Sequence, residues 1–174
     1  MTKLECVQGD IAAQDDMDAV VNAANAWLRT GSGVAGAIHQ AAGPGLYQAC
    51  KLLAPLRPGE AVITPAFKLP NRYVIHCLGP VYGVDKPADK LLAACYRNAL
   101  ELADKNGVRS IAFPAISTGA FGYPLEAAAR VAFTTIGALL PSLASLACIR
   151  FVLFSETDAA VHRQLLAEIN PDVR

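Results

Sequence analysis

Two short stretches hold the residue types that could do chemistry. The first, Val20 to Gly43 (VVNAANAWLRTGSGVAGAIHQAAG), sets Asn22 and Asn25 at the end of an apolar run, with Gly31, Gly33, Gly36 and Gly43 following. The second, Ser117-Thr118-Gly119-Ala120-Phe121-Gly122, comes directly after the apolar run Ser110 to Ala115. Glycines and amides between a strand and a helix shape backbone around a ligand, because glycine admits turns and close approaches that a β-carbon forbids. Anion recognition is the chemistry open to such loops. Unpaired N–H groups and the positive end of a helix hold phosphate without a cation. One loop serves one phosphate, and two facing loops suit a diphosphate.

Other chemistries fit less well. Gly31-x-Gly33-x-x-Gly36 matches the dinucleotide fingerprint in letters. That motif needs glycines directly after the strand and an acid about 20 residues on, yet no acid lies between Asp18 and Glu60. Neither loop has the lysine and hydroxyl pair of a P-loop. Ser117 lacks the G-x-S-x-G elbow of a nucleophile, so it is read as a hydroxyl and amide in a phosphate loop. Asp15, Asp16 and Asp18 lack the ligand spacing of a calcium loop and read as a solvated turn. His39, His76 and His162 are too dispersed for a metal site, so no metal and no cofactor are expected.

The elements that must position these loops alternate in type. Strand-like runs cover Leu4 to Val7, Ala19 to Val21, Glu60 to Pro65, Tyr73 to Leu78, Ser110 to Ala115 and Ile149 to Phe154. Helical patterns cover Val34 to Ala42 and Leu46 to Leu53, with Gly43-Pro44-Gly45 between them. Lys90 to Lys105 follows, with Leu91, Cys95, Ala99 and Leu102 on one face. A further helix carries Leu125, Ala128, Ala132, Ile136 and Leu139, and Ser155-x-x-Asp158 opens a last one as a capping box. Apolar strands interleaved with helices predict an α/β sheet covered on both faces. In such sheets ligands bind at the carboxyl ends of the strands, here the two glycine loops and the region of Phe154.

At 174 residues and 53% hydrophobic, residues 1–174 are expected to form one domain. A chain of this length buries roughly 70% of its unfolded surface. Fifteen lysines and arginines balance fifteen aspartates and glutamates, which excludes the basic stripe of an extended nucleic-acid binder. Five cysteines without a C-x-x-C pair read as reduced thiols. No signal segment is visible, and the apolar stretch Val131 to Ile149 is broken by Gly137 and Pro141. A cytoplasmic monomer without a membrane span is expected.

Several motifs together carry a resemblance: Gln8-Gly9-Asp10-Ile11, Val21-Asn22-Ala23-Ala24-Asn25, Gly31 to Ala37, His39-x-Ala41-Ala42-Gly43, and Ala112-Phe113-Pro114-Ala115-Ile116-Ser117-Thr118-Gly119. In this order and spacing, over about Leu4 to Ile169, the chain resembles a macrodomain, the ADP-ribose-binding module. The resemblance implies a three-layer α/β/α fold around a mixed sheet of about six strands. Asp10 would accept from the adenine N6 amine, Ile11 would add its N–H, and Phe154 would pack on the adenine face. Gly33, Val34, Ser117, Thr118, Gly119, Ala120, Phe121 and Gly122 would cradle the diphosphate. Asn25 would bond the distal ribose and position the reacting water, making it the catalytic candidate, while Asn22 would hold the loop's own backbone. Partners would be ADP-ribose, related ADP-ribosyl molecules and mono-ADP-ribosylated proteins.

The resemblance also raises a question of activity. The deacetylase-like branch reads G-G-V-D-G in its glycine loop, and its aspartate is assigned a part in activating water. Here the loop reads Gly33-Val34-Ala35-Gly36, preceded by Thr30 and Ser32, and a methyl takes no proton. His39 is read as a structural helix histidine, and Ser32 as a restraint on the loop's peptide flip. The expectation is a slow hydrolase of mono-ADP-ribosyl or O-acetyl-ADP-ribose linkages, working with a positioned water and the substrate's diphosphate. The alternative is a reader that binds ADP-ribose without cleaving it.

Overall fold

The computed structural model describes residues 1–172. In chain order the elements are β1 (Lys3–Gln8), β2 (Ala19–Ala23), α1 (Gly33–Ala42), α2 (Pro44–Cys50), β3 (Ala61–Pro65) and β4 (Tyr73–Cys77). They continue as α3 (Ala88–Lys105), β5 (Ser110–Phe113), α4 (Leu125–Leu139), β6 (Cys148–Leu153) and α5 (Glu156–Ile169). A short 3₁₀ turn, Ile11–Ala13, follows β1. The six strands form one sheet in the order β1-β6-β5-β2-β4-β3. Every pairing is parallel except β3 with β4, so five carboxyl ends share one edge.

Neighbouring strand residues feed opposite cores, because successive side chains alternate across the sheet. Val21, Ile75, Phe113 and Phe151 pack under α3, α4 and α5, while Val20, Val74, Ala112 and Val152 pack under α1 and α2. The first core is centred on aromatics. The rings of Phe113 and Phe151 stack at 5.6 Å, and Phe133 meets Phe151 edge-on at 5.0 Å. The expected three-layer architecture is the one observed.

Three local expectations change. The buried stripe of α3 is Leu92, Cys95, Tyr96, Ala99, Leu100 and Ala103, so Leu91 and Leu102 flank it and do not centre it. A helical face set by 3.6-residue periodicity turns by about a residue when Tyr96 brings its large area to the core. Pro44 begins α2 at its first position, where its missing N–H costs nothing, and the helix ends at Cys50, short of Leu53. Nor are the aspartates after β1 merely solvated. Asp16 makes a two-pronged pair with Arg150 at 2.8 Å per bond, and Asp18 accepts from Arg109 N at 2.8 Å. That pairing holds the Asp16 carboxyl below its ordinary pKa.

Candidate functional site

The carboxyl edge of the sheet opens into a cavity of about 690 Å³, within the usual range for small-molecule sites. Its walls come from the ends of β1, β6 and β5, and from the first turns of α1 and α5.

At the end of β1 the ladder runs one residue further, with Gly9 N donating to Leu153 O at 3.0 Å. Asp10 then caps the 3₁₀ turn: its Oδ1 accepts from Ala12 N at 2.9 Å, its second carboxylate oxygen has no hydrogen-bond partner among the described residues, and the residue lines the cavity. The N–H of Ile11, in the first position of that turn, has no partner within the turn. Across from them stands Phe154, one residue past β6 and 94% exposed although it lines the cavity. An aromatic that contributes to no core is available to a ligand.

The glycine loop before α1 supplies donors. Ser32 is the N-cap and its side chain makes no capping bond; the first backbone bond of the helix is Gly36 N to Ser32 O at 3.2 Å. The N–H groups of Gly33, Val34 and Ala35 therefore have no helical acceptor. Gly33 and Val34 line the cavity, as does Ala37 one turn on. Ser32 has φ −101° and ψ −179°, ordinary extended backbone, whereas Gly33 has φ +57°. In this conformation Ser32 is unstrained, and the left-handed residue is a glycine. Gly36 allows the loop to close on its helix, because a β-carbon there would lie 2.6 Å from Gly31 O.

The second loop contributes Pro114, Ala115, Thr118 and Gly119 to the wall. Ala120, Phe121 and Gly122 lie outside it, in a turn where Gly122 N donates to Gly119 O and Phe121 O accepts from Tyr82 N. Ser117 corrects an expectation. It adopts φ +68°, is buried, and packs its hydroxyl against Gly79 without a hydrogen-bond partner, so the hydroxyl does not face the cavity. Two further residues separate this loop from α4, and no α4 residue lines the cavity. The helix ends that border it belong to α1 and α5.

The asparagines divide differently from expectation. Asn22 does not hold its own loop: it is buried, with Nδ2 at 3.1 Å from His76 Nδ1 on the neighbouring strand. Its amide thereby ties β2 to β4 directly beneath the loop. Asn25 instead braces the loop, donating to Arg29 O at 2.8 Å and accepting from Arg29 N at 2.9 Å. It lies next to the glycines, since a β-carbon on Gly31 would sit 3.4 Å from Asn25 Nδ2, but it is not part of the cavity wall.

Asp10 and Asp158 are the ionisable side chains among the lining residues, and both stand at the β1/β6 end. Asp158 was legible in the sequence only as a helix cap. Its place four residues after Phe154 in a first helical turn was the available signal that it reaches the same cavity. His39 is buried beneath α1, neither ring nitrogen has a partner among the described residues, and burial lowers its pKa. Ala35 is 5% exposed and outside the wall. Among the described residues no group of three or more metal-ligating side chains is placed to hold a metal ion.

A doubly covered sheet whose carboxyl edge joins free N–H donors, an exposed aromatic and a free carboxylate oxygen defines an α/β/α ligand-binding domain. Comparison with known proteins narrows the class. A family model described as Macro domain matches residues 21–132. The chain is 49% identical over 168 residues to a Klebsiella pneumoniae protein named O-acetyl-ADP-ribose deacetylase, covering 94% of this chain and 95% of that protein. An Oceanobacillus iheyensis macrodomain solved with ADP superposes with a TM-score of 0.91 at 42% identity, covering 98% of this chain and 93% of that one. A Trypanosoma brucei macrodomain in complex with ADP-ribose gives 0.85 at 38% identity, covering 94% and 68%. The chain belongs to the macro domain family.

Proposed function

We propose that this macrodomain binds ADP-ribose in the cavity at the strand ends and removes the acyl group from O-acetyl-ADP-ribose, or the protein from a mono-ADP-ribosyl ester. One observation carries the binding half: the unpaired N–H groups of Gly33 and Val34 share a cavity with exposed Phe154 and the free oxygen of Asp10. Adenine stacks on Phe154 with its amine on Asp10 and its ring nitrogen on Ile11 N–H. The diphosphate lies between the start of α1 and the Ser117 to Gly122 loop, using mainly Thr118 and Gly119 there. The distal ribose then reaches toward Gly31 and Asn25, whose amide exchanges its bonds to Arg29 for ribose hydroxyls. The likeness to a protein named for O-acetyl-ADP-ribose deacetylation supports the hydrolytic half.

The reacting end has no lining side chain that could serve as a base. Water held by a diphosphate oxygen adds to the acyl carbonyl and passes its proton to that oxygen. The ribose oxygen leaves with a proton, giving ADP-ribose and the free acid. Without a side-chain general base such catalysis is expected to be about 10²–10⁴-fold slower than with one.

A second reading, a binder that does not cleave, is favoured by Ala35, whose buried methyl stands where the deacetylase-like branch has its aspartate. The two separate in one experiment. O-acetyl-ADP-ribose and a mono-ADP-ribosylated protein are each incubated with stoichiometric protein, and release is followed by mass spectrometry. Release above buffer establishes the hydrolase; calorimetric binding without release leaves the reader.

A further inference from the structure

Asp158 is one of the residues lining the cavity, and among the described residues its carboxylate makes no hydrogen bond or ion pair. Its structural contacts are made by its backbone: the N–H donates to Ser155 Oγ at 3.1 Å, and the carbonyl accepts from His162 Nδ1 at 2.8 Å. The return bond of a capping box, from Ser155 N–H to the Asp158 carboxylate, is not formed, and no cation among the described residues pairs with it.

We propose that Asp158 is a specificity-determining residue that selects ADP-ribosyl groups whose adenosine ribose carries a free 2′-hydroxyl, and rejects those with a 2′-phosphate. The inference rests on the ADP-ribose reading above, and it distinguishes ligands derived from NAD from those derived from NADP. With adenine on Asp10, Ile11 and Phe154, and the diphosphate on Gly33, Val34, Thr118 and Gly119, the ribose joining them crosses the wall between. Of the lining residues not yet given a ligand group, Gln8 and Asp158 bring polar side chains, and Gln8 Nε2 already donates to Phe154 O at 3.5 Å, which leaves the Asp158 carboxylate for the ribose. A carboxylate accepts from a ribose 2′-hydroxyl, the same chemistry by which an acid in dinucleotide sites favours NAD. A 2′-phosphate would add about two negative charges beside it. Among the described residues no lysine or arginine lines the cavity to compensate them, and the other charged group there is Asp10.

Calorimetry with ADP-ribose and with ADP-ribose 2′-phosphate, on the whole chain and on Asp158→Asn, tests the proposal. The unaltered protein is expected to prefer ADP-ribose by roughly ten- to a hundredfold, the scale of like-charge repulsion in a partly enclosed site. The preference should shrink as salt is raised. Asp158→Asn should cut the ratio by about fivefold or more while ADP-ribose still binds. Asp158→Ala, judged by the same ratio, guards against a new bond from the introduced amide, and thermal denaturation of both variants confirms folding. Equal affinity for the two ligands in the unaltered protein, or a ratio unchanged in both variants, overturns the proposal. Failure of ADP-ribose to bind at all would instead overturn the reading of the cavity.

Discussion

Replacing Phe154 by alanine separates binding from stability more cleanly than any other change in the cavity. The ring is 94% exposed, so in the free protein it covers almost no core and its removal takes little apolar area out of contact. A surface truncation of this kind should change stability by no more than about 0.5 kcal/mol. In a chain of this size that amounts to a melting shift of about 2 °C at most. In the complex the same ring is proposed to stack on adenine, and base stacking on an aromatic contributes about 1–3 kcal/mol. At about 1.4 kcal/mol per decade, Phe154→Ala should weaken ADP-ribose binding by roughly 5- to 150-fold. Calorimetry with ADP-ribose, paired with thermal denaturation, reads both quantities. Phe154→Trp should keep affinity within a few-fold, and Phe154→Leu should fall between. Unchanged affinity in Phe154→Ala would refute the adenine placement. A melting loss above about 4 °C would refute the claim that the ring supports nothing in the fold.

Three further expectations test other parts of the site. Asp10→Ala should weaken ADP-ribose binding, and Asn25→Ala should mainly lower turnover; equal loss of both properties in both variants, read by calorimetry and product release, would undo that division. Gly36→Ala forces a β-carbon to 2.6 Å from Gly31 O and should displace the loop, lowering stability by about 1–3 kcal/mol and ADP-ribose affinity with it. At Gly119 nothing stands within 4 Å of an added β-carbon, so Gly119→Ala should leave denaturant stability unchanged, and matching losses in the two variants would contradict this geometry. Burial lowers the pKa of His76 from 6.5 to about 3, so the unfolded chain takes up a proton near pH 6.5 that the folded chain refuses. Stability should be full above that pH and fall as pH drops toward 3. By pH 5 His76 alone should account for about 2 kcal/mol. Burial shifts His39 and His162 in the same direction, and a denaturant-unfolding stability that stayed flat from pH 7.5 to 5 would refute the assignment.

The architecture was legible because its signals are local and repeated. Apolar runs such as Ser110 to Ala115 cannot sit at a surface, and glycine loops after them mark carboxyl ends. That Phe154 and Asp10 line the cavity at this edge was legible for a related reason, since Phe154 directly follows β6 and Asp10 comes two residues after β1. Contacts across the sheet were not. Nothing near Asn22 in sequence shows that His76 will lie beside it, because that neighbour is set by the register of β2 on β4. Ser117 misled through its letter: a hydroxyl in a glycine loop suggests phosphate, but a backbone at φ +68° turns it inward onto Gly79. No α4 residue borders the cavity, since Tyr123 and Pro124 intervene between loop and helix. Arg150 and Asp16 meet only because β6 returns beside β1.

The cavity is polarised, and this explains how a chain with equal numbers of acidic and basic residues could hold a doubly charged ligand. Carboxylates stand at the β1/β6 end, and unpaired N–H groups stand at the start of α1. A ligand with an amine at one end and a diphosphate in the middle is favoured in one direction, because reversal would take the amine away from Asp10. Fixed backbone dipoles also need no rearrangement when the anion arrives, unlike flexible lysines, so the affinity they give costs little side-chain entropy. In the proposed placement the titratable lining groups, Asp10 and Asp158, lie away from the distal ribose. On that proposal recognition and catalysis are separable in space: the adenine end can be altered without touching the reacting end, and chemistry at the reacting end would depend on how firmly the N–H groups hold the diphosphate proposed to position the water.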